Sequence, residues 1–141
     1  MFKTVLIANR GEISVRAIRT LKKMGVTSVA VYSETDRYAQ HVLDADVAVS
    51  LQGTKPSDTY LSIEKLIAAA KNTGAEAIFP GYGFLSESAD FARACEENGI
   101  AFMGPTAAQI LEFGLKHRAR ELAAAANVPM TPGTGLLNSL D

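Results

Sequence analysis

A short apolar run near the amino terminus constrains the fold most. Residues 4–8 read Thr-Val-Leu-Ile-Ala, without the alternation of apolar and polar side chains that marks a half-exposed strand. Continuous runs of this length, rich in β-branched residues, are typical of strands buried on both faces, and such strands occur mainly in parallel sheets covered by helices. The run therefore predicts a parallel sheet that starts with the first residues of the chain.

Strand-like and helix-like segments alternate after that run. Ile13, Ala17 and Leu21 recur at helical spacing, and Gly25 follows them at the position where a left-handed residue commonly ends a helix. Further strands are predicted at 28–32, 47–50, 77–79 and 101–103, and further helices at 37–43, 62–72 and 86–98. Because parallel neighbours need crossover connections, this order predicts a doubly wound α/β domain with a mainly parallel sheet.

The composition changes near residue 115. Thr106 is suited to the N-cap of a further short helix, and residues 115–126 are rich in alanine and charge, which favours one more helix. Turn-forming residues follow. We therefore expect an α/β domain at residues 1–114, and an exit helix with the start of a connection to another domain at residues 115–141.

Composition and charge argue against several classes of protein. The 14 basic and 15 acidic residues nearly balance and are mixed along the chain, so we expect no nucleic acid partner. No apolar run reaches the roughly 18 residues of a transmembrane helix, and no secretory signal precedes the first strand, so we expect no membrane partner. The single cysteine, Cys95, lies in a helical stretch and is expected to be structural. These features predict a cytoplasmic protein.

The first turn between strand and helix lacks the glycines of a classical dinucleotide site. NAD- or FAD-binding domains carry G-x-G-x-x-G there, whereas residues 9–14 contain one glycine, Gly11. Arg10 stands at the positive end of the next helix dipole, which is unfavourable for a cation. Arg10 is therefore either solvated, paired with an anionic group of the fold, or present for a functional reason.

A second candidate site follows the strand at 77–79. Segment 79–87 starts at the carboxyl end of that strand, where open α/β sheets place their ligands. Gly81 and Gly83 let the backbone approach a ligand closely, and Ser86 is suited to cap the following helix. The alternative is a plain connection whose two aromatic side chains pack on the core.

Two groups of cations stand outside the apolar stripes. Arg16, Arg19 and Lys23 share one face of the first helix, which is either solvated or an interface. A second patch stands at the start of the exit helix and consists of Lys116, His117, Arg118 and Arg120. Cations at a helix start are unfavourable without a nearby anion, so this patch indicates phosphate or carboxylate binding.

Metal binding is not predicted. His41 has no second histidine or cysteine at ligand spacing, and His117 lies in a different predicted helix. A Cys–His nucleophile pair lacks support for the same reason.

Several short motifs stand in a fixed order along the chain. They are Ile7-Ala8-Asn9-Arg10-Gly11-Glu12-Ile13, Asp36-Arg37 with His41-Val42, Ala45-Asp46, Phe-Pro-Gly-Tyr-Gly-Phe-Leu-Ser-Glu at 79–87, and Phe102-Met103-Gly104-Pro105. Together they resemble the N-terminal domain of the biotin carboxylase family. Where that family usually has Gly-Asp-Lys, this chain has Gly114-Leu115-Lys116. With Pro-Gly-Thr-Gly-Leu-Leu at 132–137, this departure is similar to the urea carboxylase (urea amidolyase) branch.

The resemblance implies a Rossmann-like pre-ATP-grasp domain belonging to a ligase. The complete enzyme would carboxylate biotin with bicarbonate and MgATP, in this branch for the carboxylation of urea. ATP, Mg²⁺ and biotin are then cofactors of the complete enzyme, and these residues alone would bind them weakly or not at all. The implied partners are the ATP-grasp and C-terminal parts, a biotin carboxyl carrier domain and a second copy in a homodimer.

The resemblance also implies roles for individual residues. Lys116 is similar to the family's ATP-contacting lysine, Tyr82 and Glu87 lie in the loop that faces the biotin and bicarbonate region, and Arg16 and Arg19 match a face used in bacterial dimers. No catalytic residue is assigned within this stretch, so the isolated chain is expected to be inactive. Two alternatives remain open: a biotin carboxylase of an acyl-CoA or pyruvate carboxylase, and a non-catalytic assembly module that associates through its basic face.

Overall fold

The computed structural model describes residues 1–133, and five segments of this part are β-strands. They are β1 (Thr4–Ile7), β2 (Thr27–Tyr32), β3 (Val47–Ser50), β4 (Ala77–Phe79) and β5 (Ala101–Phe102). The strands form one sheet in the order β3-β2-β1-β4-β5, and every neighbouring pair is parallel. The prediction of a doubly wound α/β domain with a mainly parallel sheet is confirmed.

Helices connect the strands and continue beyond the last one. Within residues 1–133 they are α1 (Gly11–Lys23), α2 (Gln40–Asp44), α3 (Ile63–Thr73), α4 (Ala89–Glu97), α5 (Ala107–Gly114) and α6 (Lys116–Ala125), with 3₁₀ turns at Glu34–Asp36 and Pro56–Asp58. Gly25 follows α1 with a φ of 69°, and Gly74 follows α3 with a φ of 66°. Both are left-handed residues at helix ends, which is the role that glycine performs with least strain.

Helix α4 begins later than the sequence predicted. The cap is Ser88, whose side chain accepts a hydrogen bond from the backbone N–H of Phe91. The prediction that Ser86 caps this helix is wrong, because residues 83–88 form successive turns instead. The Ser86 N–H donates to the Gly83 carbonyl, and the Ser88 N–H donates to the Leu85 carbonyl.

Both faces of the sheet are buried. On one face, Leu6 and Ile78 pack with Leu66 of α3 and Phe91 of α4. On the opposite face, the other core cluster contains Val5, Ile7 and Ala77 from the strands, with Ile18 and Leu21 from α1. Neighbouring residues of β1 thus point to opposite clusters, which explains why its sequence is apolar without alternation.

Helices α5 and α6 lie outside these cores. No residue of either helix is buried, and α5 packs on α4 while α6 packs on α5. Thr106 caps α5 as predicted, in a capping box with Gln109. The domain division at 114/115 stays a prediction, and part of the predicted connection, together with four residues of the 132–137 motif, lies outside the described residues. Between residues 1 and 133, no helix has the length and apolar character needed to cross a membrane.

Candidate functional site at the carboxyl edge of the sheet

The candidate site lies where the strand order reverses. The chain runs from β1 to β2 and β3 on one side and then returns to place β4 on the other side of β1. Helix α1 leaves β1 toward one face of the sheet and α4 leaves β4 toward the other, as their core clusters show. A crevice opens at such a point, and it is where open α/β sheets bind ligands.

Asn9 joins the two loops that border this crevice. Its side chain is buried, with 1% of the residue exposed. The Nδ2 group donates to the carbonyl oxygens of Pro80 at 2.8 Å and Tyr82 at 2.9 Å, and Oδ1 accepts from the backbone N–H of Arg10 at 2.9 Å. One amide side chain therefore fixes the β4–α4 loop to the β1–α1 turn.

Gly81 lies between the two carbonyl groups that Asn9 binds. Its φ is +67°, and a Cβ there would stand 2.7 Å from Cγ2 of Ile13 and 3.0 Å from Nδ2 of Asn9. The close approach at this glycine is thus to the protein's own helix α1. Gly83 has a similar φ of +73°, but a Cβ there would meet no atom within 4 Å. The predicted approach of a ligand to these glycines stays a prediction.

The two aromatic residues of the loop behave differently. Phe84 stacks on the buried ring of Tyr60, with centroids 5.1 Å apart, and it adopts a φ of +43° to do so. Tyr82 is 58% exposed, and its hydroxyl donates to Oε1 of Glu12 at 2.5 Å. This hydrogen bond raises the pKa of the Tyr82 phenol. Phe84 is 36% exposed and contacts the core through the ring of Tyr60. The alternative in which both rings pack on the core therefore fails for Tyr82 and holds only in part for Phe84.

Arg10 has the anionic partner that its position at the helix start called for. Its Nε and Nη2 groups donate to the two carboxylate oxygens of Asp36, at 2.6 and 2.5 Å. Asp36 also accepts from the hydroxyl of Tyr60 at 2.6 Å. The Arg10 hydrogen bonds hold the pKa of Asp36 at about 2, whereas burial raises the pKa of Tyr60. Tyr60 donates to Asp36 and also stacks on Phe84, so this network holds the ring on which Phe84 packs.

Neither Asp36 nor Tyr60 was singled out in the sequence as a partner of Arg10. Asp36 belongs to one of the ordered motifs, which was the available signal. Tyr60 had no local signal, since it precedes α3 and meets Asp36 only through the fold.

Two other polar residues are buried away from the crevice loop. His41 lies with Nε2 3.3 Å from the carbonyl oxygen of Val31, and burial lowers the pKa of its imidazole. Burial raises the pKa of the Cys95 thiol to about 11, so the thiol stays protonated near neutral pH. Within residues 1–133, no three or more His, Cys, Asp or Glu side chains are grouped to hold a metal ion.

Two of the four side chains in the predicted cationic patch, Arg118 and Arg120, bind other groups of the chain. Arg118 pairs with Glu121 at 2.6 Å, and Nη2 of Arg120 donates to the carbonyl of Thr131 at 3.0 Å. Lys116 is exposed at the first residue of α6. Tyr82 and the exposed Glu87 both belong to the β4–α4 loop, and Lys116 lies on a separate helix. Their predicted roles stay predictions.

An apolar groove of about 360 Å³ extends from the crevice along α1. Its lining is largely hydrophobic and includes Phe2, Val5, Ala17, Met24, Phe79 and Met103. Arg16 and Tyr82 also line it, and Arg19 is exposed on the same helix. Of the two predicted interface arginines, Arg16 therefore lies beside an apolar surface.

Comparisons with known proteins give a consistent result. The sequence model of the family described as biotin carboxylase, N-terminal domain, matches residues 1–110. The urea amidolyase of Lachancea kluyveri is 60% identical over 98% of this chain, and biotin carboxylase 1 of Bacillus subtilis is 47% identical over 100% of it. The chain spans only 8% of the first relative and 32% of the second.

A solved structure has the same fold. It is the biotin carboxylase domain dimer of Hydrogenobacter thermophilus 2-oxoglutarate carboxylase, in complex with MgADP, ADP and bicarbonate. Its TM-score is 0.89 at 50% identity, and the match covers 95% of this chain and 29% of that one.

Proposed function

We propose a function from one premise, which is that the chain belongs to the biotin carboxylase N-terminal domain family. It supplies the N-terminal domain of the biotin carboxylase part of an ATP-dependent ligase, which carboxylates biotin with bicarbonate and MgATP. The carboxyl group then passes to urea. The observation that carries this proposal is the exposed Tyr82 on a fixed loop at the carboxyl edge of the sheet, in a chain that matches a urea amidolyase over 98% of its length.

The β4–α4 loop fits a ligand with a flat apolar face and a polar edge. Tyr82 offers an exposed ring, and Glu87 offers an exposed carboxylate in the same loop. We assign both to the region that biotin and bicarbonate occupy. Biotin carries the carboxyl group when bound, and the residues of this chain orient it and form one wall of the site.

Lys116 fits a contact with an ATP phosphate. Its ammonium group is exposed at the start of α6, where the helix dipole adds positive potential. One charge-assisted hydrogen bond contributes about 1.5–3 kcal/mol, which corresponds to millimolar affinity or weaker. We therefore expect no heat when MgATP is titrated into the isolated chain, and micromolar binding would contradict this division of the site. We place the Mg²⁺ ligands and catalytic residues in other parts of the enzyme.

The remaining parts of the enzyme are the proposed partners. The groove along α1 and the exposed side chains of Leu111, Phe113 and Leu115 form apolar surface that is costly to leave in water. We propose that the ATP-grasp and C-terminal parts cover it, while a biotin carboxyl carrier domain visits the crevice. The unpaired, buried thiol of Cys95 is compatible with a cytoplasmic enzyme.

A homodimer through Arg16 and Arg19 is a separate proposal. Both side chains are exposed on α1, and a relative of the same fold is a dimer. Size-exclusion chromatography of an Arg16→Glu, Arg19→Glu variant of the complete enzyme tests it. We expect the mass to fall by half, and an unchanged mass would rule out this interface. Dimerisation of the isolated chain without nucleotide contact would instead favour an assembly module.

The proposed function is tested by exchanging domains. This chain replaces the matching 138 residues of the Lachancea kluyveri urea amidolyase, and ATP consumption is measured with and without urea. We expect activity within about tenfold of the parent, because the two sequences are 60% identical over this stretch. A tenfold loss of rate corresponds to about 1.4 kcal/mol. Lys116→Ala should raise the KM for MgATP about ten- to hundredfold, which corresponds to the loss of one such contact. Lys71→Ala, an exposed lysine on α3, is the control and should change nothing.

The carboxyl acceptor is tested in the complete enzyme that contains this chain. We expect ATP consumption to depend on urea. Dependence on an acyl-CoA or pyruvate in place of urea would favour the other carboxylase branches.

A further inference from the structure

Tyr82 is exposed, yet it is held at both its backbone and its side chain. Its carbonyl accepts from the buried amide of Asn9, and its hydroxyl donates to Glu12. Exposed aromatic side chains ordinarily exchange between rotamers on the nanosecond scale. With both ends bonded to the β1–α1 segment, the ring of Tyr82 is confined to one orientation across the crevice.

Glu12 is placed to act on Tyr82 and on little else. It is exposed in the first turn of α1, where a carboxylate is favoured by the helix dipole. In the part of the chain that the structure describes, the hydrogen bond from Tyr82 is the one polar contact of its side chain. A carboxylate at this point of the helix would stabilise α1 wherever it pointed. The helix dipole therefore does not explain why Glu12 binds the phenol of Tyr82, which lies 70 positions away in sequence.

We infer that Glu12 is a positioning residue, which acts through Tyr82 to preset the surface that a biotin ring meets. The inference rests on the proposed function, because that proposal assigns Tyr82 to the biotin region. A side chain held in its binding orientation loses less freedom when the ligand arrives, so the ligand binds more tightly without any new contact. Asn9 performs the matching task for the backbone of the same loop.

The first experiment measures the clamp itself in the isolated 141-residue chain. Ring relaxation of Tyr82 is followed by NMR in wild type, Glu12→Ala and Glu12→Gln. We expect the ring to become mobile in Glu12→Ala and to stay ordered in Glu12→Gln, because an amide oxygen still accepts from the phenol. Equal order in all three proteins would overturn the inference.

The second experiment measures the consequence for the ligand. This chain replaces the matching 142 residues of Bacillus subtilis biotin carboxylase 1, and ATP consumption is followed against free biotin. Glu12→Ala and Tyr82→Phe should each raise the KM for biotin about three- to tenfold, which is the range expected for freeing one side chain. The double variant should show no further rise, the KM for MgATP should not change, and Glu12→Gln should restore the KM for biotin.

Glu64→Ala is the matched control. Glu64 is the second residue of α3 as Glu12 is of α1, and both are exposed. Loss of a helix-dipole contact would affect both variants equally, so a KM for biotin that rises equally in both would overturn the inference. If Tyr82→Ala leaves the KM for biotin unchanged, or the parent chimera is inactive, the proposed function itself is wrong.

Discussion

The β4–α4 loop and the α5–α6 segment both extend from the sheet, but they are held in different ways. The loop is bound by residues far away in sequence, through Asn9, Glu12 and Tyr60. Helices α5 and α6 are held by neighbours, with a capping box at Thr106 and ion pairing within a single turn of α6. A loop held from a distance has its shape set by the fold. A segment held locally keeps its helices with little burial against the sheet.

The largest effect that should separate the two regions is the loss of a phenylalanine ring. Phe91 is fully buried and meets Phe102 edge to face at 5.8 Å, whereas Phe113 on α5 is 59% exposed. Phe91→Ala should reduce the free energy of unfolding by about 3–5 kcal/mol because it leaves a cavity. Phe113→Ala should change it by less than about 0.5 kcal/mol. Urea denaturation of both variants measures this difference, and similar losses would show that α5 belongs to the same core.

Two glycines test whether the loop is held by packing or by backbone conformation alone. Gly81→Ala combines a left-handed backbone with a Cβ only 2.7 Å from Ile13, so we expect a loss of about 2–4 kcal/mol. Gly83→Ala is its control, because the backbone strain is similar but no atom lies nearby, and about 1 kcal/mol should be lost. Thermal unfolding compares the two, and equal losses would mean that contact with α1 does not hold the loop.

The charged network beneath the loop should appear in the pH dependence of stability. The folded pKa of Asp36 is lowered to about 2 from an ordinary value near 3.8, so its contribution is complete above pH 4 and is lost as the pH falls toward 2. We expect this loss to be about 1–2 kcal/mol. In Asp36→Asn the free energy of unfolding should be lower at pH 7, and it should depend less on pH between pH 4 and 2. An unchanged slope would show that Arg10 does not stabilise this carboxylate.

His41 acts in a separate pH window. Burial lowers the pKa of the folded imidazole, so the unfolded chain takes up protons first as the pH falls below about 6.5. Stability is therefore lost as the pH falls below 6.5, at higher pH than the range in which the contribution of Asp36 is lost. His41→Gln should remove this earlier part of the pH dependence and leave the later part in place.

The smallest expected effect lies in the α5–α6 segment. Thr106→Ala removes the side chain that accepts from Gln109, which costs about 1 kcal/mol of helix stability. Because no residue of α5 is buried, this loss should appear as faster amide exchange within α5, with little change in the unfolding of the sheet. A matching fall in global stability would contradict the contrast between the two regions.

Local chemistry explains what the sequence could predict. The left-handed Gly25, the N-cap at Thr106 and the apolar β1 each depend on residues within one turn or one strand, and each is confirmed. The start of α4 was misplaced because two serines two positions apart both suit an N-cap, and only the turns around Gly83 decide between them.

The contacts of the candidate site depend on distant pairs and were less accessible. The position of Arg10 at a helix start predicted an anion as one explanation, but only the parallel packing of β1 beside β2 brings Asp36 to it. The bond from Tyr82 to Glu12 has no local signal, since it requires β4 to lie next to β1.

The position of β1 at the centre of the sheet also determines the order in which the domain can assemble during synthesis. Of the five strands it is synthesised first, yet Thr4 pairs with Thr27 on one side while Val5 pairs with Ala77 on the other. One of its two hydrogen-bonding edges therefore stays unpaired until β4 has left the ribosome, and β5 can join the sheet only after Phe102 has been synthesised. Long-range parallel pairing of this kind is slow, and it leaves an apolar strand exposed for the longest time. We expect a nascent chain that ends before β4 to need a chaperone, even though its first strand is already complete.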